Sequence, residues 1–304
     1  MSRRYAHVKG ELLERGYSLV RSVLGADDVA AIKERLRYIA AHAGFYHAFG
    51  VSFTLAAQTA RRTRLDPLEW FEQIGNVPFL DEECRAHLLA HGDFAELAQA
   101  VIGADADVIN AGFFLKPSQG GAEVPWHQDA ATWGVPTGAW SAGDAPLIFD
   151  YWIALDDADA DNGALELLPG SQRCGVVHHE RCGGLLAQAD PEAHGCDPRG
   201  AIAIDAAPGD LVVYHQDMFH RSGPNHSSRA RLAAAGTLIG SRESARMRAL
   251  LPAYTTLDRC PLYRDGRVVP LAHPLPLNAS AWRRLLRKAS KWLRAISGSI
   301  ALLP

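Results

Sequence analysis

Two periodicities divide this chain. Through roughly the first third, apolar positions recur at three- and four-residue intervals; from Val108 onward they gather into short runs broken by Gly, Pro, Asn and Asp. The first pattern predicts helices. After a short strand at Tyr17-Ser18-Leu19-Val20-Arg21, Val29, Ile32 and Leu36 form an apolar stripe that continues through Ala41. Asp27 and Asp28 fall in its first turn, where acidic side chains complement the positive end of a helix dipole. The same spacing returns around Pro67 to Phe71 and over Phe94 to Val101. The second pattern predicts strands at Val108–Leu115, Leu147–Leu155, Ala164–Leu168, Ala201–Ile204, Leu211–Tyr214 and Leu232–Ile239. Short strands separated by turn residues imply a mainly β fold with flanking helices, a jelly roll or sandwich. Residues 131–146 and much of 174–200 are too rich in Gly and Pro for regular structure. They read as lids or substrate walls, or as exposed barrel loops, and Trp133 and Trp140 turn the first towards a pocket.

Composition narrows the class without naming it. The chain has 304 residues, 48% of them apolar and 21% charged, and a net charge of −3. That length suits one large core or two modest ones, all-β barrels often exceeding 200 residues as one domain, and the charge gives no bias towards nucleic acid. Five cysteines, at 84, 174, 182, 196 and 260, lack Cys-x-x-Cys spacing. They read as reduced thiols of a cytoplasmic protein, with a zinc role for Cys174, Cys182 and Cys196 the weaker reading. There is no secretory h-region and no run of 18 apolar residues. The tail reads as a separate unit after a single domain over 1–275. In 276–304, Trp282, Leu285, Leu286, Ala289, Trp292, Leu293 and Ile296 follow one helical face. Arg283, Arg284, Arg287, Lys288, Lys291 and Arg294 accompany them without an acid. Such a helix over 280–297 suits the anionic inner face of a membrane, and equally a groove on the barrel or on a second subunit.

The chemistry enters through Pro125-Trp126-His127-Gln128-Asp129. His-x-Asp is cheap: the chain holds three such pairs, His91/Asp93, His127/Asp129 and His215/Asp217. On a strand, residues i and i+2 point to one face and can reach one metal. His91/Asp93 reads as a helix end, and His215/Asp217 lies only five residues before His220. His127/Asp129 follows a strand-like run and precedes others, with His220 as a distant third donor. Two His and one carboxylate can occupy one face of an octahedron about iron(II) and leave three positions open. Beyond His220, Arg231 can hold an acid by a two-pronged ion pair, with Arg229 as a rival. His178 and His179 are adjacent and cannot both serve one metal; His215 is placed near the site without ligating, and His226 in a polar turn.

These parts, in this order, resemble the phytanoyl-CoA dioxygenase family of iron(II)/2-oxoglutarate-dependent oxygenases. The resemblance runs from about Leu12 to Gly240. It rests on Glu14-Arg15-Gly16-Tyr17, Phe114-Leu115-Lys116-Pro117, His127-Gln128-Asp129 and Tyr151-Trp152-Ile153-Ala154-Leu155-Asp156. Asn162-Gly163-Ala164-Leu165 leading to Leu168-Pro169-Gly170-Ser171, and Gly209-Asp210 through His220 to Arg231, complete it. It implies a double-stranded β-helix of the cupin-like class, with Fe(II) on His127, Asp129 and His220. It implies O2 and 2-oxoglutarate as co-substrates, the distal carboxylate on Arg231 with help from Ser222. Lys116, Gln128 and Trp152 match positions lining that pocket. Ser171-Gln172-Arg173 and Arg221 depart from the family pattern. A carboxylate at Asp129, where halogenating relatives carry a small residue, implies hydroxylation or a related C–H oxidation. The expected substrate is a small metabolite, natural-product intermediate or lipid-like molecule. Acyl-CoA is an alternative, although 131–146 carries no Lys or Arg for its phosphates; Arg61, Arg62 and Arg64 are the substitutes. A non-catalytic jelly-roll scaffold and a cupin-like metalloenzyme without 2-oxoglutarate are the other readings. Oligomeric state is not encoded in any of these signals.

Overall fold

The computed structural model describes residues 4–56, 66–140, 148–182, 186–250 and 261–271. The basic tail, Arg61, Arg62, Arg64 and Cys260 lie outside these residues. The helices described are α1 (Ala6–Arg15), α2 (Ala26–Ala41), α3 (Ala43–His47), α4 (Glu82–His87), α5 (Gly92–Ile102), α6 (Asp129–Thr132) and α7 (Ser241–Leu250). The strands of the larger sheet are β1 (Tyr17–Val20), β2 (Ser52–Leu55), β3 (Phe71–Gly75), β4 (Ala106–Lys116), β6 (Ile148–Ala154), β11 (Leu211–His215), β13 (Arg231–Gly240), β14 (Pro261–Arg264) and β15 (Arg267–Val268). The smaller sheet holds β5 (Val124–His127), β7 (Leu165–Leu167), β10 (Ile202–Ala203) and β12 (His220–Ser222). A hairpin of β8 (Glu180–Cys182) and β9 (Leu186–Gln188) stands apart.

All pairings are antiparallel. The larger sheet runs β1-β11-β6-β13-β4-β14-β15, and β3, itself paired with β2, takes another stretch of the β4 edge. The smaller runs β10-β7-β12-β5. Two sheets facing across a common interior make the expected jelly roll. The strands read as apolar runs rather than clean alternations because both faces of the larger sheet are covered. Every residue of β6 is buried. Phe149, Tyr151 and Ile153 join a core with Val8 and Leu12 of α1, Ile32 and Leu36 of α2, and Phe94 of α5. Trp152 and Ala154 face the interior with Leu165 and Leu167 of the smaller sheet. The fully buried leucines and phenylalanines of this helix-covered face each contribute about 1.5–3 kcal/mol relative to exposure.

Several expectations change. Pro67 begins a 3-10 turn that ends at Trp70, and Phe71 already belongs to a strand, so the helical reading of Pro67 to Phe71 fails. Proline suits a first turn but its spacing cannot say how far the turn propagates. His91 and Asp93 mark a helix end, but the N-terminal one, with His91 as the N-cap of α5. The 174–200 region contains a hairpin and 3-10 turns within its irregular path. Helix α1 was not predicted: its sequence is largely polar. It stops at Gly16, whose positive φ of 85° a side chain would strain, and a Cβ there would lie 2.4 Å from Gln172 and Met218.

Candidate metal centre and co-substrate pocket

β5 and β12 pair so that His127 lies directly opposite His220, their ring centroids 4.0 Å apart. Each ring is oriented the same way. His127 Nδ1 is 2.8 Å from the Pro125 carbonyl and His220 Nδ1 is 3.1 Å from the Met218 carbonyl. A carbonyl only accepts, so each Nδ1 carries the proton and each Nε2 keeps a free lone pair. Those lone pairs converge on Asp129, with Nε2 to carboxylate distances of 3.6 Å for His127 and 3.7 Å for His220. All three ligand atoms lie within 4.8 Å of one another, and no other such group of three occurs among the described residues. Of the weaker zinc reading, Cys174 and Cys196 lie side by side, while the side chain of Cys182 is outside the described residues. The sequence expectation put both members of His127-x-Asp129 on one strand. Instead β5 ends at His127 and Asp129 opens α6. Gln128 between them keeps extended dihedrals, φ −119° and ψ 131°, so the two side chains still share a side.

Behind Asp129 stands a buried acid that sequence reasoning missed. Asp150 faces Tyr214 across the β6–β11 ladder and Thr237 across β6–β13. Its Oδ1 accepts from Thr237 Oγ1 at 2.5 Å, while its Oδ2 has no partner. Burial, then the neighbouring Asp129 charge, pushes the Asp150 carboxyl well above the usual carboxylate range. Burial opposes ionisation of Asp129 too, but the two imidazoles facing it, His220 first and then His127, outweigh it and hold Asp129 low. Two adjacent carboxyls share one proton in this way. His220 is pushed down to about 4, first by burial and then by His127, so it stands as a neutral donor. Tyr214 approaches Asp129 Oδ2 with its hydroxyl at 3.4 Å. The available signal was a lone carboxylate inside the apolar run Leu147–Leu155.

Arg231 and Lys116 form the second half of the site. They are register partners on β13 and β4 and both are almost completely buried. Arg231 Nε has no hydrogen-bond partner, and the guanidinium lies 5.6 Å over the Trp152 ring. Burial draws its pKa down to about 10. A buried cation with an orphaned donor suits the carboxylate of an acid ligand. The rival Arg229 is exposed and paired with Asp159 at 2.5 Å. Lys116 Nζ donates to the Ala122 carbonyl and, at 3.3 Å, to that of Ser222. Burial and then Arg231 bring this amine down to about 7. Gly163 makes room for it: a Cβ there, at φ 79°, would lie 2.6 Å from Lys116 Cδ and 2.5 Å from the Gly223 carbonyl. Ser222 lies two residues beyond His220 on β12 and therefore on the same side.

Gln128 departs from its expected role. Its Nε2 donates to the Gly175 carbonyl at 2.8 Å and the Asp217 carbonyl at 2.6 Å, and its Oε1 accepts from Val177 N–H at 2.9 Å. With the amide fully engaged and wholly buried, nothing remains for a co-substrate. His179 accepts the Gln128 backbone N–H at 2.9 Å, so it braces the link between the two ligands. His178 and His226 are exposed, and His215 accepts from Asp217 N–H at 3.1 Å. Asp217 accepts from Trp140 Nε1 at 2.8 Å, its Oδ1 has no partner, and burial raises it to about 6. Trp133 and Trp140 pack with Ala130, Ile148, Val176 and Met247, forming an apolar wall beside Asp129. Of the two family departures, Arg221 points outward, paired with Glu166 at 2.8 Å and lying over Trp126. Gln172 and Arg173 both reach the Glu14 carbonyl.

The phytanoyl-CoA dioxygenase family profile matches residues 12–233. The chain is 26% identical over 272 residues to a probable alpha-ketoglutarate-dependent hypophosphite dioxygenase of Stutzerimonas stutzeri, covering 86% of this chain and 82% of that one. It is 29% identical over 167 residues to the L-proline trans-4-hydroxylase of Streptomyces griseoviridis, covering 50% of this chain and 60% of that relative. The crystal structure of EctD from S. alaskensis with 2-oxoglutarate and 5-hydroxyectoine superposes with a TM-score of 0.54 at 21% identity, covering 80% of this chain and 77% of that one. The match to the family covers well over half the chain, and the donor cluster and orphaned guanidinium lie inside it: the chain belongs to the phytanoyl-CoA dioxygenase family of iron(II)/2-oxoglutarate-dependent oxygenases.

Proposed function

We propose that this oxygenase oxidises an unactivated C–H bond of a small metabolite or natural-product intermediate, with His127, Asp129 and His220 holding Fe(II) and Arg231 holding the distal carboxylate of 2-oxoglutarate. The observation that carries the reading is the pairing of three convergent donors within 4.8 Å with a buried guanidinium whose Nε is unpartnered. Iron(II) bound there supplies the activation of O2 while 2-oxoglutarate is converted to succinate and CO2. The chain supplies orientation. The backbone carbonyls of Pro125 and Met218 fix both imidazole tautomers. Trp152 gives the Arg231 guanidinium an aromatic face, and Lys116 adds a second donor beside it. A non-catalytic scaffold would gain nothing from a buried guanidinium whose Nε is left unpartnered, which costs stability until a ligand arrives.

The substrate side points away from acyl-CoA. The wall beside Asp129 is apolar and aromatic, and its polar groups are Asp150 and Asp217, each with an unpartnered carboxyl oxygen. The apolar wall, with Asp217 raised only to about 6 behind it, favours neutral or cationic molecules and gives a phosphate no cation to pair with. The test is succinate release, coupled to added candidates, across amines, amino acids, neutral natural-product cores and acyl-CoA thioesters. A neutral or cationic compound should stimulate it in the wild type and not in Asp129→Ala. Preferential turnover of an acyl-CoA would overturn the substrate reading, and full turnover in Asp129→Ala the ligand assignment. No helix among the described residues is long and apolar enough to cross a membrane. Peripheral contact through 280–297 is proposed from its six cations alone, and co-sedimentation with anionic vesicles, compared with a chain ending at Ser280, decides it.

A further inference from the structure

Two cysteines far apart in sequence meet beside the site. Cys174 ends a 3-10 turn (Ser171–Cys174), and Cys196 follows another (Glu192–His194). Their sulfurs are 2.6 Å apart, and both thiols point at one acceptor, the His194 carbonyl, at 3.7 Å and 3.8 Å. Cys174 is exposed; Cys196 is partly buried against Leu168, Val177 and Phe219. Cys84, by contrast, is a fully buried free thiol in the helix-covered core. Two thiols sharing one acceptor at this separation need no rearrangement of the backbone to join, which is the geometric requirement for a bridge.

The turn carrying Cys174 is also the turn that braces the ligand strands. Ser171 Oγ accepts Phe219 N–H at 2.9 Å, immediately before His220. The Gly175 carbonyl accepts from Gln128 at 2.8 Å, between His127 and Asp129. On the other side, Cys196 is fixed by its N–H to the Pro191 carbonyl at 2.9 Å. A covalent link between these cysteines would fasten the 186–200 segment to the support of the metal ligands.

We propose that Cys174 and Cys196 are a reversible disulfide pair that ties the 186–200 segment to the turn beside the metal centre. The oxidant is a low-molecular-weight disulfide. The exposed Cys174 thiolate attacks it, forming a mixed disulfide and releasing one small thiol. Cys196 then attacks the Cys174 sulfur and releases the second. Two S–H bonds are lost and one S–S bond forms, while two electrons and two protons leave with the small thiols. The bridge closes a loop of 175–195, and cross-links of this kind act mainly by restricting the opened chain.

The full-length protein is equilibrated with oxidised and reduced glutathione over a range of ratios, quenched in acid, alkylated and mapped by mass spectrometry. The expected result is a Cys174–Cys196 linked peptide that returns to two alkylated thiols under reducing ratios, while Cys84 is never linked. Both cysteines alkylated at every ratio, or a stable glutathione adduct on Cys174 with Cys196 free, would overturn the pair. Limited proteolysis within 175–195 reads the fastening. Oxidation should slow cleavage severalfold in the wild type and leave Cys196→Ser unchanged; equal rates in oxidised and reduced wild type would overturn that part. The Cys196→Ser variant should retain succinate formation, which separates loss of the bridge from loss of the fold.

Discussion

Beside the two ligand histidines the buried acids gather. Asp129, Asp150 and Asp217 cluster there, and two of them keep an unpartnered oxygen. Along β13, the ladder position of Asp150 is Thr237, and six residues further back stands Arg231, opposite Lys116. At that end the buried charges are cations. Each end lacks what the other has in excess, and neither relieves the other directly. A buried charge is normally paired or suppressed. The protein suppresses two of these instead of pairing them: Asp150 is pushed above the usual carboxylate range and Lys116 is brought down to about 7. Asp129 and Arg231 stay charged, and these are the two that a metal cation and a carboxylate would complete. The contrast teaches that unsatisfied charge here marks ligand positions, and that the two ends await ligands of opposite sign.

Substitutions at the two ends should therefore fail in different ways. The largest effect is expected for Asp129→Ala or His220→Ala, which remove a donor from the cluster. Iron(II) binding followed by metal titration, and succinate formation, should both be lost. Next is Arg231→Ala, which removes one partner of a buried charge pair. A loss of about 2–5 kcal/mol is expected in 2-oxoglutarate affinity, with iron(II) binding in its absence unchanged. Arg231→Lys should recover only part, since the ammonium lacks the planar fork. A loss of iron binding in Arg231→Ala would break the separation of the two ends.

Gln128→Ala tests the reassignment of that residue. It orphans the Gly175 and Asp217 carbonyls and the Val177 N–H, so thermal or urea unfolding should report a loss of about 1–3 kcal/mol for each group that water cannot reach. The KM for 2-oxoglutarate should move little; a large rise in KM without destabilisation would restore the expected co-substrate role.

The smallest effect is the pH dependence set by Lys116, whose folded pKa of about 7 lies below its ordinary value of 10.5. The unfolded chain binds this proton and the folded chain does not between those values. Stability from this group is thus lowest below pH 7 and rises as pH climbs from 7 towards 10.5. Comparing Tm across that window for the wild type and Lys116→Met should show a shallower rise in the variant. Binding of 2-oxoglutarate, an anion, should weaken as pH rises through 7 in the wild type and stay flat in the variant.

The strands were legible in the sequence where they are buried on both faces. Ala106–Lys116, Ile148–Ala154, Leu211–His215 and Arg231–Gly240 each lie within a residue or two of their apolar runs. β2 was not legible because its burial is slight, and β3 because Glu72 and Gln73 interrupt it. Of the site, the three convergent donors and the placement of Arg231 were readable as a pattern of spacing. Asp150, Tyr214, Thr237 and His179 were not, because their contacts depend on cross-strand register and on a loop path that no local pattern encodes. Gln128 was misread for the same reason: its partners lie 47 to 89 positions away.

The pairing of β1 with β11 carries a consequence for biosynthesis. Tyr17 meets Tyr214, and Leu12, Ile32 and Leu36 of the first two helices are covered by a core that includes Leu211, Val213 and Leu238. During translation the amino-terminal helices emerge long before the strands that cover them exist. Native contacts of such high sequence separation give a high contact order, slow folding, and a nascent chain whose apolar faces stay open to aggregation or chaperone binding. Helices α1 and α2 are thus made before the strands that cover them and are among the last elements to find their place.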